Sequence, residues 1–401
     1  MDTLRVPEVV VAIAQAVQAQ GGVAYLAGGP VRDHHLGREP KDFDLEVHGI
    51  PEDDLARLLG TFGTINAVGR SFGVYKLKVQ GEEFDVALPR RDSKVGPGHR
   101  GIQVAGDPYM GTTEACRRRD LTINAMLYSV LSSETVDPFG GIADLNARVL
   151  RHTDPQTFLE DPLRALRVVQ FAARLEFTVD PELQQMCRQA AIEELPAERL
   201  VTELDKLLLL ATRPSYGVEL LVEFDIARRL FPEMVLDGVP EVVDRAASRA
   251  VQGHARDALM YAALLHRSDP VAILDRLKLH TRGGYPLRRH ILAMLAAQRP
   301  TDATDLRRLA DLLPVALPIQ LWWAIDPNWW PEALTAAAEA GVADGPLPTL
   351  LGGGDLKALG VSPGPAMGQH LRALREAQTA GRVLTVDDAQ TFVRERVATG
   401  L

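Results

Sequence analysis

The stretch Gly28-Gly29-Pro30-Val31-Arg32-Asp33, followed by Leu36-Gly37 and then Asp42-Phe43-Asp44, carries more chemistry than any other part of the chain. The apolar run Val23–Leu26 ahead of it predicts a short strand, and the segment after the glycine pair predicts a helix start. Gly28 and Gly29 let the backbone approach a phosphate closely and offer N–H groups to it. Arg32 adds a fork of donors for phosphate oxygens. A strand is predicted from Phe43 to Val47, and its alternation puts Asp42 and Asp44 on one face with Phe43 on the other. Two carboxylates so placed suit a pair of Mg²⁺ ions, which prefer oxygen ligands and substrate phosphates. A two-metal site activates an attacking hydroxyl and stabilises a leaving pyrophosphate. Asp85, on a neighbouring predicted strand, is a candidate third ligand. Taken singly, an Asp-x-Asp pair is a solvated strand end and a Gly-Gly pair is a turn; their joint order points to catalysis.

Outward from this stretch, residues 8–20 predict a short amphipathic helix ended by Gly21-Gly22. Two alternating runs, Gly73–Val79 and Glu83–Leu88, flank Gln80-Gly81 and predict a hairpin. Residues 92–114 are rich in Gly, Pro and Ser and predict a long loop, a kind that is usually functional or mobile. Asp120–Leu131 predicts a helix, broken by Asp137-Pro138-Phe139-Gly140-Gly141. After about residue 145 the pattern is helical: 160–175, 181–192, 197–211, 215–230, then 255–298 and 304–340. Gly352-Gly353-Gly354 opens a last helical unit. The expected fold class is α+β, a small N-terminal α/β head followed by an all-helical remainder.

A chain of 401 residues is long enough for two or more domains. The formal charge of −9 argues against a nucleic-acid binder, yet basic residues cluster at Arg90-Arg91, Arg117-Arg118-Arg119, Arg164, Arg167, Arg174, and at Arg282 with Arg288-Arg289. Cys116 and Cys187 alone form no disulfide framework, which suits a reducing compartment. The N-terminus lacks a secretory pattern and no apolar run is long enough to span a bilayer, so a cytoplasmic location is expected, with no membrane partner.

At this point the sequence resembles the class II tRNA nucleotidyltransferases, the CCA-adding enzymes and bacterial poly(A) polymerases. GGxVRD followed by DxD is present at 28–44. Further resemblances follow in order. They are Val68-Gly69-Arg70-Ser71-Phe72-Gly73, the RRDFTINA-like Arg118–Ala125, the hinge Asp137–Gly141, EDxxR at Glu160–Arg164, and Glu198-Arg199 with Glu203. The tail, Gly354-Asp355-Leu356 through Gly364-Pro365, is also similar. The resemblance implies a nucleotidyltransferase head over 1–145, a helical neck over 146–230, a helical body over 231–343, and a helical tail over 344–401 that binds tRNA. It implies Asp42, Asp44 and Asp85 as catalytic residues, with Asp42 and Asp44 binding Mg²⁺. The nucleotide-binding set is then Gly28, Gly29, Arg32, Arg119, Asp120, Asn124, Asp161, Arg164 and Arg167.

Arg119 is implied to contact the bound nucleotide and Asp120 its ribose, where a carboxylate reading the 2′-OH would favour NTP over dNTP. Asp120 and Asn124, one turn apart on the predicted helix, would share a face. So would Asp161 and Arg164, at i and i+3. Cytosine and adenine both present an exocyclic NH₂ donor beside a ring-nitrogen acceptor, whereas guanine and uracil reverse that order. A carboxylate beside a guanidinium accepts from the first and donates to the second. This is the base-selecting role that the family assigns to EDxxR; without the resemblance, the pair reads as an intrahelical salt bridge. The family's next arginine is Gln170 here. The 92–114 loop lies where the family carries a loop needed for A addition. The expected activity is template-free addition of C and A to the tRNA 3′ end from CTP and ATP, with no obligate protein partner. Its rivals are an A-adding-only enzyme, a poly(A) polymerase, and a non-catalytic RNA-binding protein. Ala262–Arg267 is similar to the ALLHD of metal phosphohydrolases, but Arg267 stands where the aspartate would be, so His266 reads as a packing residue. Trp322-Trp323 and Trp329-Trp330 read as core.

Overall fold

The computed structural model describes residues 4–40, 42–66, 74–94 and 102–399. The chain divides into two compact units, Met1–Pro232 and Glu233–Leu401.

The first unit opens with α1 (Glu8–Ala19), where Val10, Ile13, Ala14 and Val17 repeat at helical spacing and are buried. Gly21, at φ +83°, ends it where a side chain would be strained. Next come β1 (Val23–Ala27), α2 (Gly29–His35), β2 (Leu45–His48), α3 (Glu52–Gly60), β3 (Thr64–Asn66), β4 (Val74–Val79) and β5 (Glu82–Ala87). The expected hairpin is present, with Gln80 and Gly81 both at positive φ, 51° and 94°. A seven-stranded mixed sheet runs β3-β4-β5-β2-β1, then β8 (Leu127–Ser129) and β9 (Thr135–Val136). One face buries Tyr75, Leu77, Phe84, Val86, Leu45 and Val47. The other carries Lys76, Asp85, Asp44, Glu46 and His48, because side chains alternate along each strand.

Five sequence expectations change. The strand after the glycine pair starts at Leu45, with 42–44 ahead of it in no regular element. The stretch 92–114 contains β6 (Arg90–Lys94) paired with β7 (Ile102–Gly106), followed by α4 (Thr112–Arg117). Its Gly and Pro signals lie mainly between the two strands, and residues 95–101, like the 68–73 stretch, fall outside the described residues. Asp120–Leu131 is not a helix: one 3₁₀ turn, Thr122–Asn124, leads into β8. Residues 120–130 are buried throughout, so no amphipathic period separates helix from strand. The 160–175 helix is two, α6 (Pro155–Glu160) and α7 (Leu163–Leu175), because Pro162 forces Asp161 out of the helical region (φ −116°, ψ 99°). The 215–230 helix also breaks, at Asp225 with φ +60°, into α10 (Pro214–Glu223) and α11 (Ile226–Leu230). Between these lie α5 (Gly141–Ala147), a two-strand pair of β10 (Val149–Leu150) with β11 (Thr178–Val179), α8 (Pro181–Gln189) and α9 (Ala197–Leu210).

α7 packs against α8, α9 and α10 through Ala165, Val168, Val169, Ala172 and Ala173. Asp137-Pro138-Phe139-Gly140-Gly141 locks the segment before β8. Gly140 sits at φ +73°, Asp137 accepts from Gly141 N (2.7 Å) and Ile142 N (2.9 Å), and a Cβ on Gly141 would meet Thr122 O at 2.4 Å.

The second unit is helical: α12 (Pro240–Ala247), α13 (Gly253–Leu265), α14 (Pro270–Arg276), α15 (Leu287–Ala296), α16 (Ala303–Ala310), α17 (Ala316–Ile325), α18 (Ala333–Glu339), α19 (Gly353–Ala358), α20 (Pro365–Thr379) and α21 (Val386–Ala398). Trp322 is buried with its ring edge-on to Trp329, and Trp323 donates to Trp329 O (2.9 Å), a packing role for both. His266 lies 2.8 Å from Ala263 O at the end of α13. Among the described residues no helix is long and apolar enough to cross a membrane.

Candidate active site

An open cavity of about 610 Å³ lies over the charged face of the sheet, walled by α7 and by the segment after α4. Seven arginines line it, Arg32, Arg90, Arg118, Arg119, Arg164, Arg167 and Arg199, against five carboxylates, Asp44, Glu46, Asp85, Asp120 and Asp161. A chain of net charge −9 thus presents a locally basic pocket.

Strand register builds the acidic floor. β2 runs parallel to β5 with Leu45 beside Val86, which sets Asp44 next to Asp85 on the open face. Burial, then the charges of Asp85 and Asp42, push the Asp44 carboxyl up; Arg119 and Lys76 oppose them without prevailing. Asp42 is exposed and does not line the cavity, and Asp85 also meets Lys76 at 3.3 Å. A carboxylate held against two like charges on an open face is a donor set that fits a divalent cation, which would relieve that repulsion. Among the described residues no group of three or more His, Cys, Asp or Glu is arranged to hold a metal ion.

Gly28 and Gly29 form one edge. Gly28 sits at φ +71°, a conformation that favours glycine, and a Cβ there would lie 2.9 Å from the Arg119 guanidinium and displace it. Arg32 reaches Asn124 Oδ1 (2.8 Å) and Asp33 (2.8 Å). Arg119 is held by Glu46 at 2.9 Å, and Glu46 also faces His48 Nε2 at 3.0 Å, whose Nδ1 lies 3.0 Å from Met110 O. Burial works to raise the Glu46 carboxyl, but the His48 hydrogen bond and the Arg119 charge overcome it and hold it at about 2. Asp120 and Asn124 meet despite the missing helix, because the 3₁₀ turn brings Asn124 Nδ2 to 3.1 Å from Asp120 Oδ1. The other Asp120 oxygen takes Arg167 Nε at 2.6 Å. Burial of Asp120 is outweighed by the Arg167 charge and the Asn124 hydrogen bond, so its carboxyl lies below the ordinary range.

Asp161 and Arg164 do not share a helical face and do not bond to each other's side chains. Asp161 precedes α7 and accepts from Leu163 N (3.1 Å), while its other oxygen takes Arg199 at 2.7 Å. Arg164 donates to Thr157 O (2.7 Å) and Arg118 O (2.6 Å). Both line the cavity, each with hydrogen-bonding capacity left. Sequence reasoning passed over Glu46, Phe171 and Arg199 as site residues. Arg199 lay in the quoted Glu198-Arg199 motif, whereas Glu46 and Phe171 carry no local signal.

Residues 24–151 match the poly A polymerase head domain, and 176–236 match the "Probable RNA and SrmB- binding site of polymerase A". The chain is 37% identical over 276 residues to the multifunctional CCA protein of Methylobacillus flagellatus, covering 67% of this chain and 65% of that one. The chain belongs to the CCA-adding enzyme and poly(A) polymerase family. Another relative is the multifunctional CCA protein of Xylella fastidiosa, 38% identical over 229 residues, 55% of this chain and 53% of that one. The chain thus spans about two thirds or less of the length of these family members. Its fold is shared by the CCA-adding enzyme of Bacillus stearothermophilus in complex with CTP, with TM-score 0.74, 23% identity, and 98% of each chain covered. The Thermotoga maritima CCA-adding enzyme complexed with tRNA has the same fold, with TM-score 0.71, 20% identity, and 98% and 97% covered. The head-domain match, over 24–151, spans the seven-stranded sheet from β1 to β9, and with it the acidic floor and the Arg119–Asn124 segment.

Proposed function

We propose that this chain adds C and A to the 3′ end of tRNA from CTP and ATP, without a nucleic-acid template, in the cytoplasm. The observation that carries the reading is the single cavity in which Asp44 and Asp85 face a wall of arginines beside Asp161 and Arg164. In this reading residues 1–145 are the catalytic head and 146–230 the neck with the base-selecting pair. Residues 231–343 are the body, and 344–401 the tail that holds tRNA.

Asp42 and Asp44, assisted by Asp85, would hold Mg²⁺, which would supply activation of the attacking 3′-hydroxyl and charge stabilisation of the leaving pyrophosphate. Gly28 and Gly29 let the triphosphate approach the backbone, and Arg32, Arg119 and Arg167 place forked donors around it. Asp120, oriented by Asn124 and Arg167, faces the ribose. Asp161 accepts from the exocyclic amine of cytosine or adenine, and Arg164 donates to the neighbouring ring nitrogen. Guanine and uracil would leave both groups unmatched, at a cost of roughly 1–3 kcal/mol for each unsatisfied group. The multifunctional CCA relatives and the CTP and tRNA complexes of the fold neighbours support the same reading.

The test is nucleotide incorporation with Mg²⁺ on three tRNA transcripts, ending at the discriminator base, at the first C and at CC. Ordered addition of C, C and A is expected. Addition of A to the CC-ended transcript alone would narrow the activity to A addition, and incorporation on none would refute the reading.

A further inference from the structure

Phe171 on α7 is buried, and three guanidinium groups surround its ring: Arg32 at 5.2 Å from the centroid, Arg167 at 5.4 Å and Arg174 at 5.7 Å. Two of the three are answered by carboxylates, Arg32 by Asp33 at 2.8 Å and Arg167 by Asp120 at 2.6 Å. Arg174 has no ion pair among the described residues; its one side-chain hydrogen bond is to the neutral Oε1 of Gln170, at 3.1 Å. Gln170 is itself almost fully buried, and its Nε2 has no partner there. Burial first, then the charge of Arg32, hold the Arg174 guanidinium below its ordinary value, against the opposing charges of Asp33 and Glu203. Arg38, exposed just after α2, also has no ion pair among the described residues. A half-buried cation whose direct side-chain partner is a neutral amide, with the carboxylates of Asp33 and Glu203 beyond ion-pair distance, is costly unless an anion completes it. The cavity's own lining stops at Phe171, one turn short of Arg174. The planar fork of arginine matches phosphate geometry and stacks on aromatic faces, the two features combined here.

We propose that Arg174, with Arg32 beside it on the Phe171 ring, forms a phosphate-binding site that continues the arginine-lined cavity along α7. The inference rests on the nucleotidyl-transfer reading for the source of that phosphate, which is either the triphosphate tail of the incoming nucleotide or a backbone phosphate of the RNA. Arg174 binds and orients; it makes and breaks no bond.

Two variants test it. R174M removes the charge and keeps an apolar stem over Phe171, and R174K keeps the charge without the fork. Calorimetry would measure binding of inorganic triphosphate, and filter binding would measure a tRNA transcript between about 50 and 200 mM salt. A lost charged contact is expected to weaken one of the two ligands roughly 10-fold or more, with R174K in between. If the source is RNA, the slope of log affinity against log salt becomes shallower by roughly 0.7–0.9 in R174M, and inorganic triphosphate binding stays at the wild-type value. If the source is the nucleotide, triphosphate binding falls and the RNA slope is unchanged. An R174M protein that melts with the wild type and binds both ligands as tightly, with the same salt slope, overturns the proposal. Should R174M not melt cooperatively, R174Q is read in the same way. Both arms are equilibrium measurements, so a wild-type chain that incorporates no nucleotide would sink the proposed activity and leave this site to be decided by binding alone.

Discussion

Glu46→Gln isolates the ion pair that holds Arg119 in the cavity. The change keeps the size of the side chain and removes a buried charge shared between Arg119 and His48. In the folded chain this carboxyl is held at about 2, against an ordinary value of 4.5. A gap of roughly 2.5 at about 1.4 kcal/mol each favours the charged form by about 3 kcal/mol, of the size expected when one partner of a buried pair is removed. The folded value lies below the unfolded one, so this stability is fully present above about pH 4.5, shrinks as pH falls, and is gone by about pH 2. All four tryptophans lie in the second unit, so their fluorescence follows that unit while far-UV dichroism also follows the first. In urea at pH 7, Glu46→Gln should destabilise the first unit by about 3 kcal/mol and leave the tryptophan transition in place. At pH 3.5 the difference should be smaller by roughly 1–1.5 kcal/mol. With Arg119 released, the KM for CTP and ATP should rise together, by roughly 10-fold for one charged contact. A variant within about 0.5 kcal/mol of wild type at pH 7 would refute the argument, since that is the range of an ordinary surface substitution.

Three further outcomes are expected. Asp44→Asn removes a carboxylate whose charged form the fold disfavours, so in a metal chelator it should melt above wild type while incorporating no nucleotide; melting below wild type would contradict the repulsion described at this position. Arg199→Met frees the carboxyl of Asp161, so use of GTP and UTP relative to CTP and ATP should rise in single-nucleotide assays, and unchanged selectivity would remove Arg199 from base selection. Gly141→Ala places a methyl group 2.4 Å from Thr122 O, which should cost about 1–3 kcal/mol in chemical denaturation, whereas a neutral result would mean that the segment before β8 yields easily.

What could be read from the sequence was local. The glycine pair and the Gln80-Gly81 turn each depend on a few adjacent residues, and the structure keeps both, whereas of Asp42 and Asp44 only Asp44 lines the cavity. The segment Asp120–Leu131 misled because unbroken burial over 120–130 erases the difference between a helical and an extended period. The break at Asp161 was legible in Pro162, whose ring excludes a helical predecessor, but the strong pattern on either side masked it. Contacts between distant residues left no trace. Glu46 reaches Arg119 across 73 positions and Arg199 reaches Asp161 across 38, and nothing local to either end names its partner.

Arg164 and Asp161 are anchored in different ways, and the difference bears on how the site can evolve. Arg164 is gripped by two main-chain carbonyls, those of Thr157 and Arg118, which every amino acid supplies. Side chains at 118 and 157 can therefore drift without loosening that grip, so the guanidinium is insulated from its neighbours' mutations. Asp161 has one main-chain anchor, Leu163 N, and for its other oxygen depends on one named side chain, Arg199. The carboxylate half of the pair is thus the fragile half: a lineage that loses Arg199 must find a second change before Asp161 is steadied again, and the two positions should be inherited as a couple while 118 and 157 vary on their own.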